Sequence, residues 1–268
     1  MAQSTAPSAA SATGRASATG PAPGFLSGVR VIATRELGAY FDSAIAYVYT
    51  IAFVALAGSI FMNEFFLAGR ADMTPFFDLL PLLLAVFLPA ITMRLWAEEA
   101  QKRTIELLLT LPIRPAQAVL GKFAAALALY GVFLACTLPI PIMIGVLGDP
   151  DVGRIVSGYL GLVLFGAMFL ALGMFTSALT GDQIVAYVLA TVAGIALVLV
   201  GDERVVSVLD GLFPGLTIGS TLYDTLAVLP PYESFVRGLV ELPAVLYFVG
   251  LSAALLWANA LVLRISRA

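Results

Sequence analysis

Six stretches of the chain are long and apolar enough to cross a bilayer as helices, and they restrict the fold more than any motif does. They run roughly over 43–63, 76–95, 119–147, 157–179, 183–200 and 242–263. A hydrocarbon core about 30 Å thick needs about 20 apolar residues in helical form. Inside it each backbone N–H and C=O must find its partner within the segment or a neighbour. An all-α polytopic membrane bundle of six transmembrane helices follows. Composition agrees, since 60% of the 268 residues are hydrophobic and 12% charged, against about 25% charged in a soluble domain.

Charge gives the orientation. With the N-terminus in the cytoplasm, ten of the fourteen Lys and Arg fall on that side, and only Arg70, Arg154, Arg204 and Arg237 fall outside. The positive-inside rule therefore predicts both termini in the cytoplasm. The net charge of −3 shows no basic excess suited to nucleic acid. Residues 1–24 are Ala, Ser, Thr, Gly and Pro apart from Met1, Gln3 and Arg15, lack the large apolar residues a core needs, and read as a disordered tail. The remainder, 25–268, reads as one six-span domain. Pro139 and Pro141 predict a kink in the third span.

Three segments lie outside the spans. In 25–41, FLSGVRVIATRELGAYF, the residues Phe25, Leu26, Val29, Ala33, Leu37, Tyr40 and Phe41 recur at helical spacing, with Arg30 and Arg35 off that stripe. This predicts an amphipathic helix lying flat on the inner leaflet. The outer linker, 201–241, is semi-apolar and predicts short helices against the outer face. The third segment, 97–117, joins spans 2 and 3 and contains RTIELLLTLPIRP. On a helix, Ile105, Leu108 and Leu109 share one face, while Lys102, Arg103, Glu106 and Thr110 share the other. Pro112 and Pro115 end it sharply. Such a short amphipathic helix suits a lipid surface or a groove on a soluble partner, and spacing alone favours neither.

Small residues mark close packing. Gly166, Gly173 and Ser177 in span 4, and Ala186, Ala190 and Gly194 in span 5, form stripes that let helices approach closely. Contact within the chain is the preferred reading over a dimer seam. Thr180–Gln183 reads as a turn with a capping box opening span 5.

Several chemistries are excluded. There is no histidine, which removes His metal sites and His-based triads, and no G-x-x-x-x-G-K-[ST] phosphate loop. The single cysteine, Cys136, sits in an apolar run and reads as a small core residue. No acid or base falls at mid-span, unlike the usual ion-coupled carrier.

The pattern PAITMRLWAEEAQKRTIELLLTLPIRPAQAVLGKF resembles the span 2–coupling helix–span 3 region of type-2 ABC export permeases. The likeness is strongest to the gliding-motility and nitrous-oxide-reductase-maturation branches. Residues 43–49, 158–187 and 235–248 extend it. The resemblance implies a non-catalytic permease subunit of a bacterial inner membrane. It would pair with a second copy or homologue and with separate ABC ATPase subunits that bind ATP and Mg. It further implies that 97–117 holds a coupling helix, with Glu98, Glu99, Arg103, Thr104, Glu106, Leu108, Leu109, Thr110 and Pro112 on or beside the ATPase contact. A membrane scaffold without a transport path, and an ion-driven carrier, are the alternatives; substrate and branch are not legible.

Overall fold

A computed structural model of the protein describes residues 24–70, 72–102, 114–212 and 218–265. The segment RTIELLLTLPI, with Arg103, Thr104, Glu106, Leu108, Leu109, Thr110 and Pro112, lies outside the described residues, as does the tail. Among the described residues there are twelve helices and no strand. Helix α1 is Phe25–Phe41, α2 Ala44–Ala68, α3 Thr74–Thr92, α4 Arg94–Gln101, α5 Pro115–Thr137 and α6 Pro139–Leu147. They are followed by α7 Val152–Leu179, α8 Gln183–Val200, α9 Glu203–Leu212, α10 Ile218–Leu226, α11 Leu229–Val236 and α12 Leu242–Ile265.

Six of the helical stretches are long and apolar enough to cross a membrane, with α3–α4 and α5–α6 each counting as one broken span. Helix α7 is the hub, packing against α3, α5, α8, α11 and α12. Its glycines are the reason. A Cβ on Gly158 would come within 2.5 Å of the Phe77 ring, and one on Gly161 within 2.6 Å of Phe235. Gly166 lies under the Tyr130 ring and Gly173 against Thr92. In a bilayer, where lipid tails are as apolar as leucine, this close packing is what holds spans together. Ala186, Ala190 and Gly194 are likewise buried within the chain on α8, with Gly194 against Phe169 and the Ala85 carbonyl. Both stripes thus serve contacts inside one chain.

The kink in the third span falls at Leu138, between α5 and α6. Thr137 closes it, its hydroxyl donating to the Leu134 carbonyl at 2.7 Å and meeting the Tyr159 hydroxyl at 3.0 Å. The outer linker folds as expected into short helices. Tyr232 and Phe235 of α11 are buried. Tyr232 donates to the Phe77 carbonyl at 2.9 Å, and Ser157 to the Phe235 carbonyl at 2.7 Å, tying the linker to α3 and α7.

Three expectations change. Cys136 is exposed on the outside of the bundle rather than in the core, because α5 turns Ala125, Leu129 and Phe133 inward instead. Span 5 is capped by Asp182 alone, whose carboxylate accepts from the N–H groups of Ile184 and Val185; Thr180 bonds only to the Asp182 carbonyl. The inner face of α1 centres on Gly28, Ile32, Glu36 and Tyr40, and Phe25, Leu26 and Phe41 are exposed. The periodicity identified the helix but not this face, because α1 packs along α5 and a glycine and a glutamate lie at the contact.

Candidate functional site

The ends of α1, α4 and α5 meet where the chain leaves span 2 for the segment 103–113. The close approach of α1 to α5 is set by two glycines. A Cβ on Gly121 would reach within 2.7 Å of Ile32, and one on Gly28 within 2.7 Å of the Gln117 amide. Gln117 also donates to the Phe25 carbonyl at 3.2 Å. With that register fixed, Glu36, one helical turn beyond Ile32, faces Lys122.

Lys122 is the only charged residue in α5 and is 1% exposed. Its ammonium lies 3.0 Å from Glu36 and 2.8 Å from Glu99, and 5.0 Å from the centre of the Trp96 ring. Arg35 adds a second cation, 2.9 Å from Glu36 and 3.7 Å from Glu99. Burial alone would raise the Glu36 carboxyl, but Lys122 and Arg35 outweigh it and hold it below the usual carboxylate range. One buried cation thus joins the interfacial helix, the end of span 2 and the start of span 3.

The second feature is a serine inserted into span 2. Ser177 of α7 accepts from the N–H groups of Trp96 and Ala97, each at 3.1 Å, and donates to the Met93 carbonyl at 2.8 Å. A hydroxyl offers one donor and two acceptor sites, so all three are used. An α-helix would run the Ala97 N–H to the Met93 carbonyl; here the hydroxyl stands between them, a recognised cause of helix bending. Span 2 is thereby divided into α3 and α4, and α4 is tethered to span 4.

A third contact closes the site. Arg94 donates to the Ala39 carbonyl at 3.3 Å and stands 4.6 Å from the centre of the Tyr40 ring. Tyr40 is buried and donates to the Ile91 carbonyl at 2.9 Å, and burial pushes its hydroxyl above the usual tyrosine range. A cavity of about 330 Å³ opens beside the ion cluster, lined by Glu36, Arg94, Glu98, Glu99, Lys102 and Lys122. At the opposite end of the bundle a cavity of about 820 Å³ is lined by Asp78, Asp202, Glu203, Arg204, Glu233 and Arg237 among others.

Of the expected coupling residues that are described, Glu99 points inward to Lys122 and Glu98 pairs with Lys102 at 2.6 Å on the exposed side. Arg35 joins the cluster and Arg30 is exposed. Sequence reasoning placed Lys122 only in the pattern that carries the resemblance, without a role, and missed Glu36. The available signal was a lone cation flanked by apolar residues on both sides, which a membrane helix tolerates only with a partner.

Together, six spans and their tethered ends define a multi-pass membrane protein. A family model, described as ABC-2 family transporter protein, matches residues 71–264. That is more than half of the chain, and the chain belongs to the ABC-2 family of transporter proteins, as a membrane component of such a transporter. No curated protein compared with it matches.

Proposed function

We propose that the chain is the permease subunit of an ATP-driven export system in the bacterial inner membrane. It works with a second permease copy or homologue and with separate ATPase subunits that bind ATP and Mg. The observation that supports this best is the rooting of α4. The segment 103–113 departs from α4 one residue after Lys102. Helix α4 is held to span 4 by Ser177, and to α1 and span 3 by Glu99 and Lys122.

A push on 103–113 by a closing ATPase would therefore reach two other spans and the interfacial helix through directed polar contacts. In this reading Ile105, Leu108 and Leu109 form the apolar face of a coupling helix. Arg103, Glu106 and Thr110 form its polar face, with Thr104 and Pro112 at its two ends. The fixed α4 keeps that helix from absorbing the push by swivelling.

The test is the pair of substitutions Glu106→Arg and Leu108→Asp in full-length protein purified from native membranes. The co-purifying ATPase should be lost, and with it ATP hydrolysis by the preparation. Retention of both at wild-type level would refute the assignment.

A further inference from the structure

We propose that the inner-leaflet groove between α5 and α12 is a binding site for one anionic phospholipid, with its phosphate on Arg264. The groove has a volume of about 320 Å³ and is lined by Ala116, Leu120, Trp257, Ala260, Leu261 and Arg264, with Ala253 at its far end. Its walls are apolar except at the mouth. Alanines on both helices leave the floor open, and the Trp257 side is exposed.

The dimensions select the occupant. From Ala253 to Arg264 the helix rises about 16 Å at 1.5 Å per residue. Half of a bilayer's hydrocarbon core is about 15 Å. The groove therefore spans one leaflet from near the midplane to the headgroup level, the depth of a single acyl chain.

Charge selects the headgroup. Arg264 makes no hydrogen bond or ion pair among the described residues. It stands in the last turn of α12 beside the first turn of α5, which carries no acidic residue. That helix start contributes its own partial positive charge. Arg114, one residue before it, is exposed. Cations here face the leaflet in which anionic lipids concentrate, if the termini are cytoplasmic as the charge pattern requires.

The protein carries its own reporter, since its two tryptophans are Trp257 in the groove and Trp96, which is 1% exposed. The full chain is reconstituted in phosphatidylcholine vesicles containing an equal minority of dibrominated phosphatidylcholine or dibrominated phosphatidylglycerol, and emission is compared. Brominated phosphatidylglycerol should quench Trp257 as though bound about fivefold more tightly, the effect expected of one cation near an anionic headgroup. Trp257→Phe should remove the quenched component. Arg264→Gln should bring the two lipids to equality, and Arg264→Lys should keep most of the preference. Ala260→Leu, which fills the floor and leaves the charge, should also abolish it and guards against a misfolded Arg264 variant. Equal quenching by both lipids in the wild type, or a preference that survives Arg264→Gln, overturns the site. Absence of quenching by either lipid overturns it too, since the groove would then be covered by protein such as a second copy.

Discussion

Replacing Lys122 by methionine should destabilise the protein in a way that depends on pH. The ammonium is 1% exposed and contacts two carboxylates at 2.8 and 3.0 Å. At an effective dielectric near 20, each contact is worth roughly 5 kcal/mol before desolvation. Most of that gain is offset by taking the charges out of water, so the net stability of the cluster is small. Removing one partner is different, because it leaves buried charge without compensation, at about 3–5 kcal/mol. Glu36 and Glu99 retain 15% and 16% side-chain exposure, and Arg35 remains, which places the expected loss near the lower end, about 3 kcal/mol. The pH dependence follows from Glu36, whose folded-state carboxyl is held down chiefly by Lys122 against burial. In the wild type, a depressed carboxyl contributes stability that is complete above the unfolded-state value and is lost as pH falls through the folded-state value. Without Lys122 the largest lowering influence is gone, so the Glu36 carboxyl rises from its wild-type position and ionisation contributes less to the fold. The variant's deficit should thus be largest near neutral pH and shrink toward about pH 4, near the usual carboxylate range. Thermal unfolding of the detergent-purified protein, followed through Trp96 emission in a Trp257→Phe background, measures both. A deficit that is flat between these pH values, or below about 1 kcal/mol, would show that Lys122 is not the clamp described. Glu99→Gln combined with Lys122→Met should recover part of the loss.

Ser177→Ala removes one donor and two acceptor contacts at the α3–α4 junction and should cost about 1–3 kcal/mol. It should also raise amide exchange at Trp96 and Ala97 specifically, whereas uniform exchange across span 4 would contradict the tether. Gly166→Leu would drive a side chain into the Tyr130 ring and break the bond from its hydroxyl to the Leu162 carbonyl at 2.8 Å. Overpacking of this kind typically costs about 1–3 kcal/mol, seen as a lowered unfolding midpoint that Tyr130→Phe alone does not reproduce in full. Topology is checked in a Cys136→Ser background. Arg70→Cys should react with an impermeant maleimide on intact cells, and Lys102→Cys only after lysis; the reverse pattern would invert the orientation.

The spans were legible because length and hydropathy in a bilayer depend on the chain alone. The observed α8, Gln183–Val200, coincides with the expected span 5, and the break at Leu138 with Pro139. The helix-packing glycines were legible as small residues at regular spacing, though not their partners, since only the fold brings Tyr130 onto Gly166. The face of α1 was misjudged because apolar periodicity reports contact with lipid or core. The buried face instead carries Gly28 and Glu36 beside Ile32 and Tyr40, one with no side chain and another with a charged one. The ion cluster was illegible for the same reason. Its charges come from positions 36, 99 and 122, on three helices, and no window of sequence contains them.

What distinguishes this inner end from ordinary bundle packing is that its contacts are directional. Apolar contacts hold the spans by close packing but specify no single donor–acceptor pair. The Ser177 hydroxyl and the Lys122 ammonium have fixed numbers of partners at fixed distances, so they resist sliding and carry displacement. Ser177 bonds at Met93, Trp96 and Ala97, and Lys122 reaches Glu99, all within ten residues of the point where the chain enters 103–113. A helix of eight residues so constrained cannot bend or rotate independently of spans 3 and 4. Any force delivered to the segment that follows it must then either move those spans or break the cluster. For that reason Lys122→Met and Ser177→Ala, combined, should uncouple ATP hydrolysis from transport in the assembled complex while leaving the ATPase bound. Coupled transport at the wild-type rate in the double variant would refute this role for α4.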